Sequence, residues 1–273
     1  MAAKTISCTQ CGAPLEIHNP RAKTTVCGSC GAQLDLTSPD YAFLGVVQRE
    51  PLTQPLEVGL HGTDEQGLAW RIVGHLRFAE DDYWWDEYLL QAADGQSAWI
   101  QYDDGHFSFY TPKRLTEALD PTKATGRFQL EGKWHYAREA GAASVTHIEG
   151  ELTWKARVGD TVRWIDAGDV GVEWTEKEIE VFEVKRMSLG QVASLFGVDR
   201  AKLKAGCYSF ADDDDDDNAV KLTPAQSKMV VWGFIALIFL FMFFGNCHSC
   251  GNRGYNTHYH RGYHSGGGFH FGK

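Results

Sequence analysis

No cluster of lysine and arginine stands anywhere in this 273-residue sequence, so it lacks the charge footprint of a nucleic-acid-binding surface. It also lacks a nucleophile motif, a phosphate-binding glycine loop and a paired-histidine metal motif, so no enzyme class announces itself. The opening residues, MAAKTISCTQC, contain no apolar core of a secretory signal peptide. Cysteine is scarce outside one spacing. Of seven cysteines, six form the C-x-x-C pairs Cys8/Cys11, Cys27/Cys30 and Cys247/Cys250, and Cys207 stands alone. That spacing suits metal ligation or redox exchange rather than a disulfide framework. Without a signal peptide, the N-terminal cysteines are expected in a reducing cytosol.

What is present points to a folded chain. The hydrophobic fraction, 43%, is ordinary for a protein with a core. Six of the ten net negative charges sit in the run Asp212–Asp217, which leaves −4 for the rest. The run reads as a self-repelling, extended tether within an acidic linker at 208–228.

Cys8-Thr9-Gln10-Cys11-Gly12 and Cys27-Gly28-Ser29-Cys30-Gly31 are matching knuckles, each leading into a short strand-like stretch. Zinc takes four soft ligands in a tetrahedron, and two such turns supply two thiolates each. Cys8, Cys11, Cys27 and Cys30 are therefore the candidate ligands of a zinc ribbon over residues 1–36. A site closed by four thiolates has no open position, which makes its role structural, with the metal supplying folding free energy. Nucleic-acid binding by the ribbon is disfavoured, since it carries only Lys4, Arg21 and Lys23 against Glu16 and Asp35. Docking to a protein is the preferred additional role.

Residues 43–200 read as a β-rich module. From Leu68 to Phe78 the bulky apolar side chains Leu68, Trp70, Ile72, Leu76 and Phe78 fall on one strand face. Asp94-Gly95 and Asp104-Gly105 are hairpin-turn dipeptides, which makes 97–102 and 106–110 strands of a meander. The stretches 134–139, 145–154, 161–166 and 170–174 have similar composition. Trp70, Glu87, Trp99 and Gly105 are spaced much as Trp134, Glu151, Trp164 and Gly171, which suggests two similar β units about a pseudo-twofold axis. Chance alignment among crowded tryptophans competes with that reading. Ser188 and Gly197 bracket a short helix. The acidic stretch from Glu80 to Glu87 reads as a solvated loop entering a strand. His61, His75, His106, His135 and His147 read as ordinary histidines, and the tryptophans as core.

Met229–Gly245 is seventeen residues without charge, about 25 Å of helix, and is expected to cross a membrane once. Lys221 and Lys228 on one side balance Arg253 and Arg261 on the other, so orientation rests on the cytosolic ribbon. The expected topology is single-pass in the inner (cell) membrane, with the tail 246–273 outside. Cys247, His248, Cys250, His258, His260 and His264 in that tail are further candidate ligands for Zn, Cu or Ni. Lipid attachment or a disulfide at Cys247 and Cys250 is an alternative.

Gly59-Leu60-His61-Gly62-Thr63, Trp70-Arg71-Ile72-Val73-Gly74, Trp84-Trp85-Asp86-Glu87-Tyr88-Leu89-Leu90, Asp94-Gly95 with Trp99-Ile100, and Glu149-Gly150-Glu151-Leu152 form a recognisable series. Over about 55–200 the chain resembles the bacterial family called domain of unknown function 4178. The resemblance implies an N-terminal zinc ribbon and no assigned activity, so no site residue carries over. The family's gene neighbourhoods, beside membrane proteins and polyamine-synthesis-like enzymes, imply an envelope-associated partner.

The expected fold is mainly β: a small zinc ribbon, an antiparallel β module and one transmembrane α-helix. The expected function is a membrane-anchored, non-catalytic adaptor with a protein partner in the membrane or at its cytosolic face, binding zinc and no nucleic acid. The alternatives are an enzyme or small-ligand sensor with a Trp-lined pocket in the β module, and a metal-handling protein acting through the tail.

Overall fold

In the computed structural model, which describes residues 3–48, 52–124, 126–176 and 178–204, alternating apolar runs and tight turns give sixteen strands. The ribbon contributes β1 (Lys4–Ser7), β2 (Pro14–Ile17), β3 (Thr24–Val26), β4 (Ala32–Asp35) and β5 (Phe43–Val46), followed by β6 (His61–Thr63). A first meander comprises β7 (Ala69–Glu80), β8 (Tyr83–Ala92), β9 (Ser97–Asp103) and β10 (His106–Pro112). After a hairpin, β11 (Arg127–Leu130) and β12 (Lys133–Tyr136), comes a second meander. It comprises β13 (Glu139–Leu152), β14 (Thr161–Asp166), β15 (Val170–Trp174) and β16 (Ile179–Met187). Two short helices end the described chain, α1 (Leu189–Phe196) and α2 (Arg200–Leu203).

The two meanders close on each other. β7 pairs antiparallel with β13, and β10 pairs antiparallel with β16, making an eight-stranded barrel. First strand on first and last on last is the pairing that two units related by a twofold would give. The tryptophan spacing does not mark those units, however: Trp134 lies on β12, outside both meanders. Closure satisfies the edges of the barrel sheet except at the start of β7, which β6 covers, and where the ribbon joins the end of β13. There β3 continues the sheet by pairing with the end of β13, and β4 and β5 follow in order.

Local chemistry sets these elements. Asp104 and Gly105 both have positive φ, as a two-residue hairpin between β9 and β10 requires. Ser188 caps α1 with a full capping box to Gln191, and Gly197 ends it in the left-handed region. The face expected for 68–78 is split by a bulge between Ile72 and Gly74. Trp70 and Ile72 pack outside against α1, whereas Leu76 and Phe78 point into the barrel. A bulge adds one residue and so reverses the two-residue alternation.

Among the described residues, three of the four apolar clusters hold the barrel. Leu76, Phe78, Trp85, Leu89, Trp99 and Phe182 fill one end of the barrel and meet the ribbon. Outside, Ile72, Tyr88, Ile100 and Phe107 lie under Leu56 and the helices, and Phe128 and Leu130 of the β11–β12 hairpin cover β14–β16. At the β7–β13 seam Gly74 faces Gly150, and a Cβ on Gly74 would lie 1.9 Å from the Glu151 carbonyl oxygen. Gly74→Ala is therefore expected to destabilise the fold by about 3 kcal/mol, the upper end of overpacking costs, measured by urea unfolding.

The transmembrane helix expected at 229–245 lies outside the described residues, as do the linker at 208–228 and the tail at 246–273 with its candidate ligands. Among the described residues no helix is long and apolar enough to cross a membrane. The eight residues of α1 extend only about 12 Å. The membrane-anchored adaptor, its single-pass topology and its membrane partner are corrected accordingly. The described fold is mainly β with a barrel module.

Candidate functional site

The knuckles follow from two tight turns. Gly12 and Gly31 adopt φ of 76° and 74°, and each donates its N–H to the carbonyl of the first cysteine at 2.9 Å. This brings Cys8 Sγ to 3.8 Å from Cys30 Sγ, and Cys11 Sγ to 3.7 Å from Cys27 Sγ. All four sulfurs lie within 4.8 Å of one another, a cluster able to coordinate a metal ion. Four thiolates on one zinc at about 2.3 Å would be separated by about 3.8 Å, so the cage has the right size. Protonation tells the same story. Burial raises Cys27, but the N–H groups of Cys30 and Ser29 outweigh it and bring the thiol down to about 7. Cys11 is lowered by the Ala13 N–H, yet contact with the other thiols and burial push it up to about 12. Four sulfurs this close cannot all ionise without a cation among them.

The ribbon docks on the barrel through polar contacts. Buried Glu151, at the end of β13, accepts the N–H groups of His18 at 2.8 Å and Asn19 at 2.7 Å. Gln33 Nε2 donates to the Ala156 carbonyl at 2.6 Å, and Lys155 pairs with Asp35 at 2.6 Å. Burial pushes Glu151 up to about 7 against those two backbone donors and Arg71.

The barrel interior holds a cavity of about 360 Å³, within the range of small-ligand sites. Trp85 and Trp164 meet edge-on in its wall, with centroids 6.0 Å apart. Its lining includes Glu87, Asp103, Glu139, Asp166 and Glu173, and no lysine, arginine or histidine. Glu173 lies directly across the β15–β16 pair from Glu180, and like charges so placed repel. Burial pushes Glu87 up to about 7, opposed by a 2.8 Å hydrogen bond from Trp85 Nε1 and helped by the charges of Glu180 and Asp86. Burial and the neighbouring carboxylates raise Glu173 and Glu180 as well. At the cavity rim Tyr83 donates its hydroxyl to Asp103. The lumen is thus rich in carboxyl groups and π faces, with no basic side chain among its described lining.

A third grouping lies on the outer wall. Arg77 Nε and Nη2 grip the two oxygens of fully buried Asp86 at 2.8 Å each, and the guanidinium sits 3.9 Å over Trp84. His75 Nε2 reaches Asp86 Oδ1 at 2.7 Å. Burial would raise Asp86, but hydrogen bonds from Arg77 and His75 prevail and hold it below the ordinary carboxylate range. His147 and Glu149 approach the same imidazole.

The solvated reading of the acidic stretch fails where closure buries it. Asp81 and Asp82 form the exposed turn between β7 and β8, while Asp86 and Glu87 face opposite sides of a wall covered on both faces. Inward-facing Glu173 and Glu180, and the pairing of His75 with His147, carried no spacing signal, because barrel closure alone assembles them.

Residues 64–189 match one known family. It is described as Domain of unknown function (DUF4178). The matched stretch begins just before β7 and ends at the first residue of α1, so it takes in the whole barrel and leaves out the ribbon. No curated protein and no solved structure matches the chain. The family's description assigns no chemistry, and the functional argument rests on the barrel's own geometry.

Proposed function

We propose that the chain is a ligand-binding barrel that takes a small organic cation in its lumen, on a scaffold clamped by zinc at Cys8, Cys11, Cys27 and Cys30. The observation that carries this reading is the wall of the 360 Å³ cavity, where five carboxylates and several aromatic rings line the space without a basic side chain. A protonated amine or quaternary ammonium entering there neutralises carboxylates that otherwise repel, and stacks on tryptophan faces that attract cations. Glu87 and Glu173 would anchor the charge, and Trp85 and Trp164 would hold the carbon skeleton.

The test is titration of intrinsic tryptophan fluorescence with tetramethylammonium, a linear alkyl diamine and a neutral diol of equal length. Saturable quenching by the cations and none by the diol is expected. Glu87→Gln should weaken cation binding roughly tenfold to a hundredfold, the worth of one charge-assisted contact. Equal binding of the diol, or an unchanged affinity in Glu87→Gln, would sink the reading. A second reading, that the chain handles metal beyond one zinc, is favoured by the ligand-type side chains gathered on the outer wall.

A further inference from the structure

Resting on that second reading, and independent of the lumen, the geometry points to a metal centre for a divalent first-row transition ion at His75, His147 and Glu149. Cross-strand register sets His75 on β7 directly opposite Glu149 on β13. His147, two residues before Glu149, shares its face of the strand.

Two bulges create this grouping. One lies between Ile72 and Gly74 on β7, the other between Val145 and His147 on β13. Beyond each, the alternation reverses, so that Leu76, Phe78 and Ile148 pack with the barrel core and the three ligand-type residues share the outer wall. Bulges that re-aim side chains are characteristic of functional sites.

The decisive atom is Nδ1 of His75. Asp86, gripped at both oxygens by Arg77, is an anion that can only accept, so His75 Nε2 carries the proton in their 2.7 Å hydrogen bond. Nδ1, on a fully buried side chain, has no hydrogen-bond partner, and in the neutral imidazole it offers its lone pair to an ion. Tyr88 stacks on the ring at 4.7 Å and 10°, which fixes its plane. A carboxylate behind an imidazole is the arrangement that orients metal-bound histidines and raises their basicity.

One ligand-type atom from each of the three residues lies within 4.8 Å of those of the other two. Nitrogen and oxygen ligands at about 2.0 Å need a separation of about 3.3 Å, so a modest side-chain rotation closes the site. His147 and Glu149 are only half-buried, so an ion can arrive from their side. Two imidazoles and one carboxylate suit Zn²⁺, Fe²⁺, Co²⁺ or Ni²⁺ rather than Mg²⁺ or Ca²⁺. Three protein ligands leave a coordination position for water or a small anion.

The test loads the full chain with Co²⁺, desalts it, and measures bound metal by mass spectrometry alongside the visible spectrum. The wild type should hold at least two ions. His147→Ala and Glu149→Gln should each hold one fewer, with the thiolate-to-cobalt band of the cysteine cluster unchanged. If the wild type holds several ions and folded Glu149→Gln holds as many, this centre is refuted while metal handling elsewhere survives. A wild type that never exceeds one ion overturns both. Glu149→Gln keeps the side chain's size and polarity, so it decides the matter if His147→Ala does not fold.

Discussion

Cys27→Ser should lose the ribbon's metal and lower the melting temperature by roughly 10 °C, with the barrel still folded. Cys27 is fully buried, and the apolar cluster around it is small: Cys8, Ala32 and Leu34, with Ala13 and Leu15 at its edge. A cluster of that size cannot offset the backbone entropy of ordering some thirty residues. In this reading zinc provides the difference, because structural zinc sites supply folding free energy outright. The barrel closes on its own strand pairs and should survive, but it loses the partners that shelter Glu151 and the end of β13. Leaving those groups unpaired costs several kcal/mol, and each kcal/mol moves the melting temperature by about 2–4 °C in a domain of this size. Scanning calorimetry with zinc analysis checks the outcome. A variant that melts like the wild type, or that keeps its zinc, would show that the four thiols do not clamp the fold. Prolonged chelation of the wild type should reproduce the variant's melting curve.

The parts of this architecture legible in the sequence are those set by neighbours in the chain. Asp104-Gly105 specifies its own hairpin, Ser188 and Gly197 bracket α1, and the paired knuckles declare a metal-sized cage. What the barrel does with its strands was not legible, because closure depends on β7 finding β13 some seventy residues later. In β8 the run Trp84-Trp85-Asp86-Glu87-Tyr88-Leu89 shows no alternation of polarity, since both its faces are covered. Asp86 and Glu87 look like solvated charges until the wall that buries them is in place. The bulges in β7 and β13 hide the rest: each reverses which side chains face inward, and neither carries a glycine or proline signature at the inserted residue. The lumen carboxylates and the His75 grouping are therefore products of topology.

The lumen's chemistry leads to an unusual pH dependence: the ligand-free, zinc-saturated protein should be more stable at pH 6 than at pH 8, by roughly 2–3 kcal/mol. Glu87 and Glu151 each titrate at about 7 in the fold, against an ordinary value of 4.5. The folded carboxyl therefore keeps its proton where the unfolded one has lost it. Between those values unfolding releases a proton, so rising pH favours the unfolded chain. The stabilisation is fully present below about 4.5 and gone above about 7, roughly 3 kcal/mol per group over the whole span. From pH 6 to pH 8 each group loses about 1 kcal/mol. Glu173 and Glu180 act in the same direction. Two sets of groups oppose them. His18 is held below its usual value by burial and Arg71, and it favours the higher pH. Asp35, Asp64 and Asp86 have lowered values, and their contribution is lost only in stronger acid, below the window measured. The carboxyls of the lumen and seam outweigh one histidine, which sets the sign. Urea unfolding at the two pH values gives the slope, and Glu87→Gln should remove close to half of it. A saturating organic cation should flatten the slope further, because it stabilises the ionised lumen that pH 8 creates. Stability rising from pH 6 to pH 8 in the free protein would mean that the lumen carboxylates are already neutralised by something other than protons, and the cation-binding reading would fail with it.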